Sequence, residues 1–315
     1  KRHYDRMHSD HDDKNIKISG RRKFVVRTAM VLASIPFLGL LHGMAFGRYN
    51  YKVIRKKLSF ARLPKAFEGL RILHITDIHS GSLDNRDKIQ GAVDMINEQE
   101  YDLLLFTGDI VNNFHWEMDE WITIFNQIRK APLGNYAVLG NHDYGEYSDW
   151  KSEEAKAENF LKIKKIFPKI GFQLLLNEHL ILNRDGQSIA LVGVENWVAN
   201  FQQKGDLNLA SEGLKVDDFK ILMTHDPSHW EHRVKADPRH FDLTLSGHTH
   251  GMQLGIEVPS LGIKWSPSKY VYAQWAGFYT YNDRVINVNR GFGYHFFPGR
   301  VGIWPEITVI ELTKE

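Results

Sequence analysis

The stretch Arg71-Ile72-Leu73-His74-Ile75-Thr76-Asp77-Ile78-His79 is a short apolar run that ends in an acid and an imidazole two residues apart. A run of this length that stops at a polar turn is typical of a buried β-strand. Similar runs recur along the chain, and helical patterns lie between several of them. Strands that alternate with helices indicate an α/β fold. The further runs are residues 101–107, 136–139, 189–194, 219–224 and 241–246, and the helical patterns are residues 87–99, 116–129 and 153–167.

The pattern changes after residue 271, where consecutive strands are predicted, among them residues 285–288 and 307–312. We therefore expect a mixed sheet or a second sheet. Near the other end, residues 58–68 are typical of a strand followed by a connector. The predicted organisation is a polar tail (1–23), an apolar helix (24–47), a linker with a leading strand (48–67) and one large domain (68–315).

The composition narrows the chemistry before any motif is considered. The 315 residues include no cysteine, which excludes disulfides, zinc–thiolate sites, iron–sulfur clusters and thiol catalysis. A formal net charge of +2 argues against a general nucleic-acid coat, which needs a strongly basic face. The 16 histidines are unusual, and any bound metal must use nitrogen and oxygen ligands.

The apolar segment 24–47 follows a polar tail. Its uncharged part, 28–46, would span ~28 Å as a helix, close to the hydrocarbon thickness of a bilayer. It fits a membrane helix, an uncleaved signal anchor or a buried helix, and we expect membrane attachment. Residues 19–24 resemble a twin-arginine export signal, but basic residues on both sides leave the orientation open. The large domain is expected to be extracytoplasmic if the twin-arginine reading holds, and otherwise to lie on the cytoplasmic face. The tail contains a cluster of His8, Asp10, His11, Asp12 and Asp13. This cluster could hold a metal, but we favour the reading that it belongs to a solvated segment.

Five polar motifs directly follow the apolar runs, at the positions where functional groups collect in open α/β sheets. Carboxylates and imidazoles without sulfur suit Mn²⁺, Fe or Zn²⁺. A carboxylate placed between two such ions can bridge them, and Asp109 is central among the motifs. Each motif alone is also compatible with an ordinary capped turn. The motifs are Asp77-Ile78-His79, Gly108-Asp109, Gly140-Asn141-His142-Asp143, Thr224-His225-Asp226 and Gly247-His248-Thr249-His250.

Together, these five blocks resemble the motifs of the calcineurin-like metallophosphoesterases, in the same order and over residues 70 to about 251. The resemblance implies a four-layer α-β-β-α sandwich of two mixed sheets, and phosphoester hydrolysis by a hydroxide that bridges two divalent metals. It implies Asp77, His79, Asp109 and His250 as ligands of the first metal. Asp109 would also bind the second metal, together with Asn141, His225 and His248. His142 would stabilise the transition state or protonate the leaving group, and Asp143 would orient His142.

Two arginines on glycine-rich turns, Arg290 and Arg300, are predicted to bind the substrate phosphate, because a guanidinium can grip a phosphate with two hydrogen bonds. The alternative is a salt bridge beside a tight turn. Glu195 and Trp197 follow another strand and are further candidates to line the site. The aromatic stretch 265–281 either forms an apolar lip or packs within a sheet.

An apolar anchor joined to such a domain resembles the membrane-associated branch of the family. That branch includes phosphodiesterases with twin-arginine or transmembrane N-termini, and enzymes that cleave the pyrophosphate of UDP-2,3-diacylglucosamine in lipid A synthesis. We therefore predict a lipid-linked phosphoester substrate, with an exported phosphodiesterase or phospholipid hydrolase as the alternative. A non-catalytic membrane scaffold would have degenerate ligands, and a nuclease would have a long basic stripe; the sequence has neither feature. It does not specify an oligomeric state.

Overall fold

The computed structural model describes residues 20–199, 201 and 203–315. The chain forms two compact units, Lys1–Leu41 and His42–Glu315. The histidine and aspartate cluster predicted near residue 10 lies outside the described residues, as does most of the predicted polar tail.

Helix α1, Gly20–Ala45, contains most of the apolar segment and begins before its predicted start at residue 24. Its most apolar 18-residue window has a mean hydropathy of 2.0, and none of that window is buried within the protein. By length and composition the helix can cross a membrane, although a signal sequence would have the same properties. Leaving these side chains in water would be unfavourable, since burial of apolar surface contributes roughly 25 cal/mol per Å².

Within the unit His42–Glu315, the described residues form two large mixed sheets and six further α-helices. In chain order the helices are α2 (Arg86–Asn97), α3 (Ile122–Phe125), α4 (Glu153–Lys164), α5 (Ile166–Lys169), α6 (Leu207–Ala210) and α7 (Pro227–His232). The strands are β1 (Lys52–Phe60), β2 (Arg71–Ile75), β3 (Leu103–Phe106), β4 (Asn135–Ala137), β5 (Gln173–Leu174), β6 (Glu178–Arg184), β7 (Gln187–Gly193), β8 (Lys220–Met223), β9 (Leu243–Ser246), β10 (Ile256–Val258), β11 (Ile263–Trp265), β12 (Gly277–Tyr281), β13 (Arg284–Val288) and β14 (Glu306–Lys314).

The first sheet has the strand order β1-β14-β2-β3-β4-β5, and the second has the order β12-β13-β9-β8-β7-β6. Strands β2 to β5 are parallel to one another, as are β7, β8, β9 and β13. Strands β10 and β11 form a separate two-stranded ribbon. Because β1 pairs along its whole length with β14, the leading strand predicted within residues 48–67 is the edge strand of the first sheet, and it begins at Lys52, before residue 58.

Among the described residues, the buried hydrophobic side chains form three large clusters and one small one. Along β3, Leu104 and Phe106 face the helices α2, α4 and α5, whereas Leu103 and Leu105 face the second sheet. Helices α6 and α7 cover the outer face of the second sheet, where Trp230 is buried. The order is helices, sheet, sheet, helices, which confirms the predicted four-layer architecture. The helix predicted at 116–129 is wrong in extent, because only a 3₁₀ turn and the short α3 form there.

Candidate metal centre

The five motifs meet at the carboxyl ends of β2, β3, β4, β8 and β9. Backbone hydrogen bonds connect their turns to one another. The amides of Asp77 and His79 donate to the carbonyls of Gly108 and Asp109, at 2.9 and 3.0 Å, and Gly247 donates to His225 at 2.9 Å. The turns therefore support one another as a single assembly instead of acting as independent loops.

Five of the seven predicted ligands have left-handed backbone conformations, with φ from 48° to 69°. Such values are uncommon outside glycine and cost of order 1–3 kcal/mol each in the general case. Strain of this kind persists only where the surrounding structure enforces it, and it concentrates at functional sites. These ligands are Asp77, His79, Asp109, His248 and His250.

Two groups of side chains could each hold a metal ion. In the first, Asp77, His79 and His250 offer ligand atoms that all lie within 4.8 Å of one another, and Asp109, His225 and His248 do the same in the second. The two groups are adjacent through Asp109.

One carboxylate oxygen connects the two groups. The Oδ2 atom of Asp109 lies 3.5 Å from Nε2 of His79 and 3.1 Å from Nε2 of His225. Asn141 completes the second group, with its Oδ1 atom 2.8 Å from Nδ1 of His248. All seven predicted ligands are thus brought together, and Asp109 has the central position expected of a bridging carboxylate.

Two glycines allow this close approach. A Cβ atom on Gly140 would lie 2.2 Å from Oδ1 of Asp109, and one on Gly247 would lie 2.2 Å from Oδ2 of Asp77. No side chain can be accommodated at these distances without displacing a predicted ligand.

Hydrogen bonds on the outer side of three histidines determine which ring nitrogen faces the centre. The Nδ1 atom of His79 lies 3.0 Å from Oδ1 of Asn112, and that of His225 lies 2.7 Å from the Thr107 carbonyl. Conversely, Nε2 of His248 is hydrogen-bonded to the Tyr272 hydroxyl at 2.8 Å, and Oδ2 of Asp226 lies 3.2 Å from the same nitrogen. Such outer partners usually orient metal-binding histidines and raise their basicity. The donor set and its supporting hydrogen bonds therefore fit a pair of divalent cations.

Burial and neighbouring charges shift the pKa values of the predicted ligands in different directions. Burial alone would raise the pKa of Asp77, but His250 and His225 outweigh this effect and hold that pKa below its ordinary value. Burial lowers the pKa of His79 and of His250 below the ordinary histidine value. In contrast, the neighbouring Asp109 overcomes burial and raises the pKa of His225 to about 10. A cation bound here competes with the His225 proton.

His142 lies beside the two groups without belonging to either of them. Its Nδ1 atom is 2.8 Å from the carbonyl oxygen of Asn112, so that nitrogen carries the proton in the neutral ring and Nε2 is left for another partner. His142 lines a pocket of about 350 Å³. The other lining residues are His79, Asp109, His248, Thr249, His250, Met252, Gln253, His295, Phe296 and Phe297.

The structure corrects the role predicted for Asp143. Its two carboxylate oxygens accept hydrogen bonds from the amides of Asp109, Gly140 and Ile110, each at 2.9 Å. These partners leave the His142 ring to be oriented by Asn112 instead. Asp143 ties the turn after β3 to the turn after β4, and thereby positions Asp109.

The structure also corrects the predicted role of the two arginines. Arg290 is held by Glu257, at 2.6 Å, and by Glu306, and it lines a different cavity. Arg300 is fully buried and donates from Nε to the Gly293 carbonyl at 3.0 Å. Buried guanidinium groups require such partners, and neither arginine lines the pocket.

Arg300 instead contacts a predicted ligand from behind, since its Nη2 atom lies 3.1 Å from Nδ1 of His250. Among the other candidates, Trp197 stacks on His229, with ring centroids 4.9 Å apart, and does not line the pocket. From the aromatic stretch 265–281, Tyr272 contacts a predicted ligand on its outer side, with its hydroxyl 2.8 Å from Nε2 of His248. Trp275, by contrast, is buried in a small core of its own.

Sequence reasoning missed His295. Its ring stacks on His79, with centroids 4.6 Å apart, and meets His142 edge-on at 4.4 Å. Burial, together with the positive charge His142 would carry, lowers the pKa of His295 to about 4. The next residue, Phe296, is 92% exposed in a left-handed conformation at the rim of the pocket. The sequence does contain a signal for His295, since it lies in the loop between Arg290 and Arg300, the two predicted phosphate-binding arginines.

The layered fold and the paired ligand groups define the class of the protein as a two-metal phosphoesterase. The profile of the calcineurin-like phosphoesterase family matches residues 70–252, and the chain belongs to this family. It is therefore a metal-dependent hydrolase of phosphoric esters that uses two divalent cations.

The chain is similar to several proteins of bacteria and animals. It is 31% identical over 255 residues to the uncharacterized metallophosphoesterase YkuE of Bacillus subtilis, covering 79% of this chain and 81% of that protein. It is 27% identical over 302 residues to the phosphodiesterase YaeI of Escherichia coli, covering 93% and 98%. A transmembrane protein with metallophosphoesterase domain from Danio rerio is 27% identical over 304 residues, covering 94% of this chain. The match spans 64% of the zebrafish protein.

Proposed function

We propose that this chain is a membrane-attached phosphodiesterase that hydrolyses phosphodiester or pyrophosphate bonds in membrane-associated substrates. The observation that carries the proposal is the position of the Asp109 carboxylate between the two ligand groups. In the proposed assignment, Asp77, His79, Asp109 and His250 hold one cation, and Asp109, Asn141, His225 and His248 hold the other.

When bound, two cations would offset phosphate charge and make hydroxide available near neutral pH. The remaining chemistry belongs to side chains around the pocket. His142 presents Nε2, because Asn112 engages Nδ1, and when the ring carries a second proton this nitrogen can donate it to the departing oxygen, which leaves the neutral ring with its proton on Nδ1. His295 stacks on His79 and forms part of the pocket wall.

The pocket favours a diester over a terminal phosphate. Its described lining includes no lysine or arginine, while Met252, Phe296 and Phe297 supply an apolar rim. A monoester dianion has a second negative charge, which only the cations could neutralise. A diester carries one negative charge and a second organic group. That group can contact the apolar rim. The name of the Escherichia coli relative, a phosphodiesterase, supports the same preference.

Membrane attachment rests on helix α1 and on the relatives named as transmembrane proteins. It makes a lipid-linked substrate reasonable, and a UDP-diacylglucosamine-type molecule remains our specific candidate. An exported phosphodiesterase or phospholipid hydrolase is the alternative, and the side of the membrane that the head occupies separates the two. A cytoplasmic head favours the nucleotide-linked lipid.

The test compares bis(p-nitrophenyl) phosphate with p-nitrophenyl phosphate, using the full chain in detergent with Mn²⁺. We expect kcat/KM for the diester to exceed that for the monoester by about tenfold or more, which corresponds to about 1.4 kcal/mol. His142→Ala serves as the inactive control. Preference for the monoester would contradict the diesterase proposal, and inactivity on both compounds with metals bound would favour a scaffold.

A further inference from the structure

The ribbon formed by β10 and β11 has its apolar side chains on the outside. Ile256 pairs with Trp265 across the ribbon, so both side chains lie on the same face. Ile256 is 55% exposed, Trp265 is 38% exposed, and Leu261 in the connecting turn is 70% exposed. Together with Ile263, which is 45% exposed, these residues form what we call the ribbon face.

The charged residues of the ribbon engage the rest of the unit. Glu257 pairs with Lys264 across the strands, and its carboxylate accepts two hydrogen bonds from Arg290, at 2.6 and 2.9 Å. The ammonium of Lys264 donates to the Ala276 carbonyl and lies 4.7 Å from the Trp275 ring. The ribbon is therefore attached through its polar side. Its apolar side is left in water, the reverse of an ordinary surface strand pair.

The exposed ribbon face indicates a surface that is covered by another molecule. A two-stranded ribbon alone is marginally stable in water, and contiguous exposed apolar side chains usually mark a protein or membrane contact. The polar anchorage through Arg290 keeps the ribbon face outward instead of letting it fold onto the domain.

The ribbon starts next to the residues where helix α1 ends. Gly255 directly precedes β10, and its amide donates to the Val301 carbonyl at 2.9 Å. Arg300 precedes Val301 in the chain, and its amide donates to the Gly43 carbonyl at 3.1 Å. A Cβ atom on Gly43 would lie 2.5 Å from Cγ2 of Val301, so this packing is tight. Arg300 and Val301 thus connect the start of the ribbon to the last turn of the apolar helix.

We propose that the ribbon face docks into the interfacial layer of a lipid bilayer. Trp265 and the nearby Tyr270, 75% exposed, are residue types enriched at membrane–water interfaces. Lys269 precedes Tyr270 and supplies positive charge for anionic headgroups. The inference rests on the membrane attachment proposed above, but it is independent of the substrate.

Docking would bring the catalytic pocket to the lipid surface. Met252 lines the pocket rim, is 44% exposed, and lies four residues before the ribbon face begins. Amphiphilic substrates could then reach the rim from the bilayer without crossing bulk water.

The absence of cysteine allows a direct test, because a single introduced cysteine can be labelled selectively. We would introduce Ile263→Cys in the full chain, attach a polarity-sensitive fluorophore, and reconstitute the protein into phosphatidylcholine–phosphatidylglycerol vesicles. The matched control is Leu161→Cys on α4, which is 53% exposed and lies outside the ribbon. Flotation of the vesicles reports attachment separately from docking.

We expect a blue-shifted emission at position 263, and quenching by nitroxide-labelled lipid at least about twofold stronger there than at position 161. Flotation without this difference would overturn docking and leave the anchor intact. Failure to float would overturn both. A blue shift at position 263 that depends on protein concentration and resists lipid quenching would also overturn docking, by identifying a second copy of the chain as the occupant.

Discussion

The Nδ1 atom of His142 lies 2.8 Å from the carbonyl oxygen of Asn112, and this contact sets which nitrogen faces the pocket. It explains how a histidine next to two metal-ligand groups can stay outside both. The ring is tethered from behind by the backbone, so Nε2 is free to face a substrate oxygen.

Replacement of His142 by alanine is expected to reduce kcat by about 10²–10⁴-fold, because a proton donor to the leaving group is lost. Metal content, measured by elemental analysis of the purified protein, should stay unchanged. His232→Ala, which alters a histidine outside the pocket, is the control. A His142 variant that lost its metals would disprove the assignment of this residue as a non-ligand.

Asp226 is expected to act through His248, whose Nε2 atom is 3.2 Å from its carboxylate. Asp226→Asn should weaken metal binding by about 10–100-fold, because the ring loses a neighbouring carboxyl group that orients it. Competition with a chelator measures this affinity. Asp185→Asn, at an exposed turn with φ of 48° that asparagine tolerates, should bind metal like the parent protein. Equal affinities in the two variants would rule out the orienting role.

Asp143→Ala is expected to destabilise the protein by about 3 kcal/mol or more, because three buried amides lose their acceptor. Denaturant unfolding monitored by fluorescence gives the free energy of unfolding. If Asp143 served only to orient His142, the variant would instead lose rate while keeping its stability.

Gly140→Ala should displace Asp109, because the new methyl group would lie 2.2 Å from its Oδ1 atom. A displacement of about 1 Å costs on the order of 10²-fold in rate, and we expect a loss of that size with bis(p-nitrophenyl) phosphate. Gly91→Ala is the control, since a Cβ atom on this helical glycine would meet nothing within 4 Å. That change should stabilise α2 by about 0.5–1 kcal/mol. Full activity of Gly140→Ala would show that the turn has room to move.

Stability should fall in mild acid because of His74. Burial lowers the pKa of this ring to about 4, against an ordinary value of 6.5. Between these values the unfolded chain binds more protons than the folded chain, so stability is lost as the pH falls from about 6.5 to about 4. The full linkage is about 3 kcal/mol. Unfolding free energies across this range should show a weaker pH dependence for His74→Gln, and an identical dependence would contradict the assignment.

Local sequence determined much of the architecture, because the periodicity of apolar residues predicts strands and helices from neighbouring residues alone. Apolar runs such as residues 71–75 are buried on both faces of a sheet, and Asp77 and His79 follow at the turn, as their position predicted. The apolar helix is recognisable from composition alone. The single helix predicted at 116–129 is wrong in extent, since the segment forms a 3₁₀ turn and the short helix α3 instead.

The tertiary structure alone decided the partners of the charged groups. Sequence placed Arg290 and Arg300 on glycine-rich turns, but long-range packing brought Glu257 and Glu306 to the first and buried the second behind His250. It likewise assigned Asn112, not Asp143, to orient His142. The physical reason is that motif spacing determines which residues reach a strand end, whereas hydrogen-bond partners depend on segments that are distant along the chain. The sequence by itself therefore determined the ligand chemistry, and only the fold decided which side chains support it.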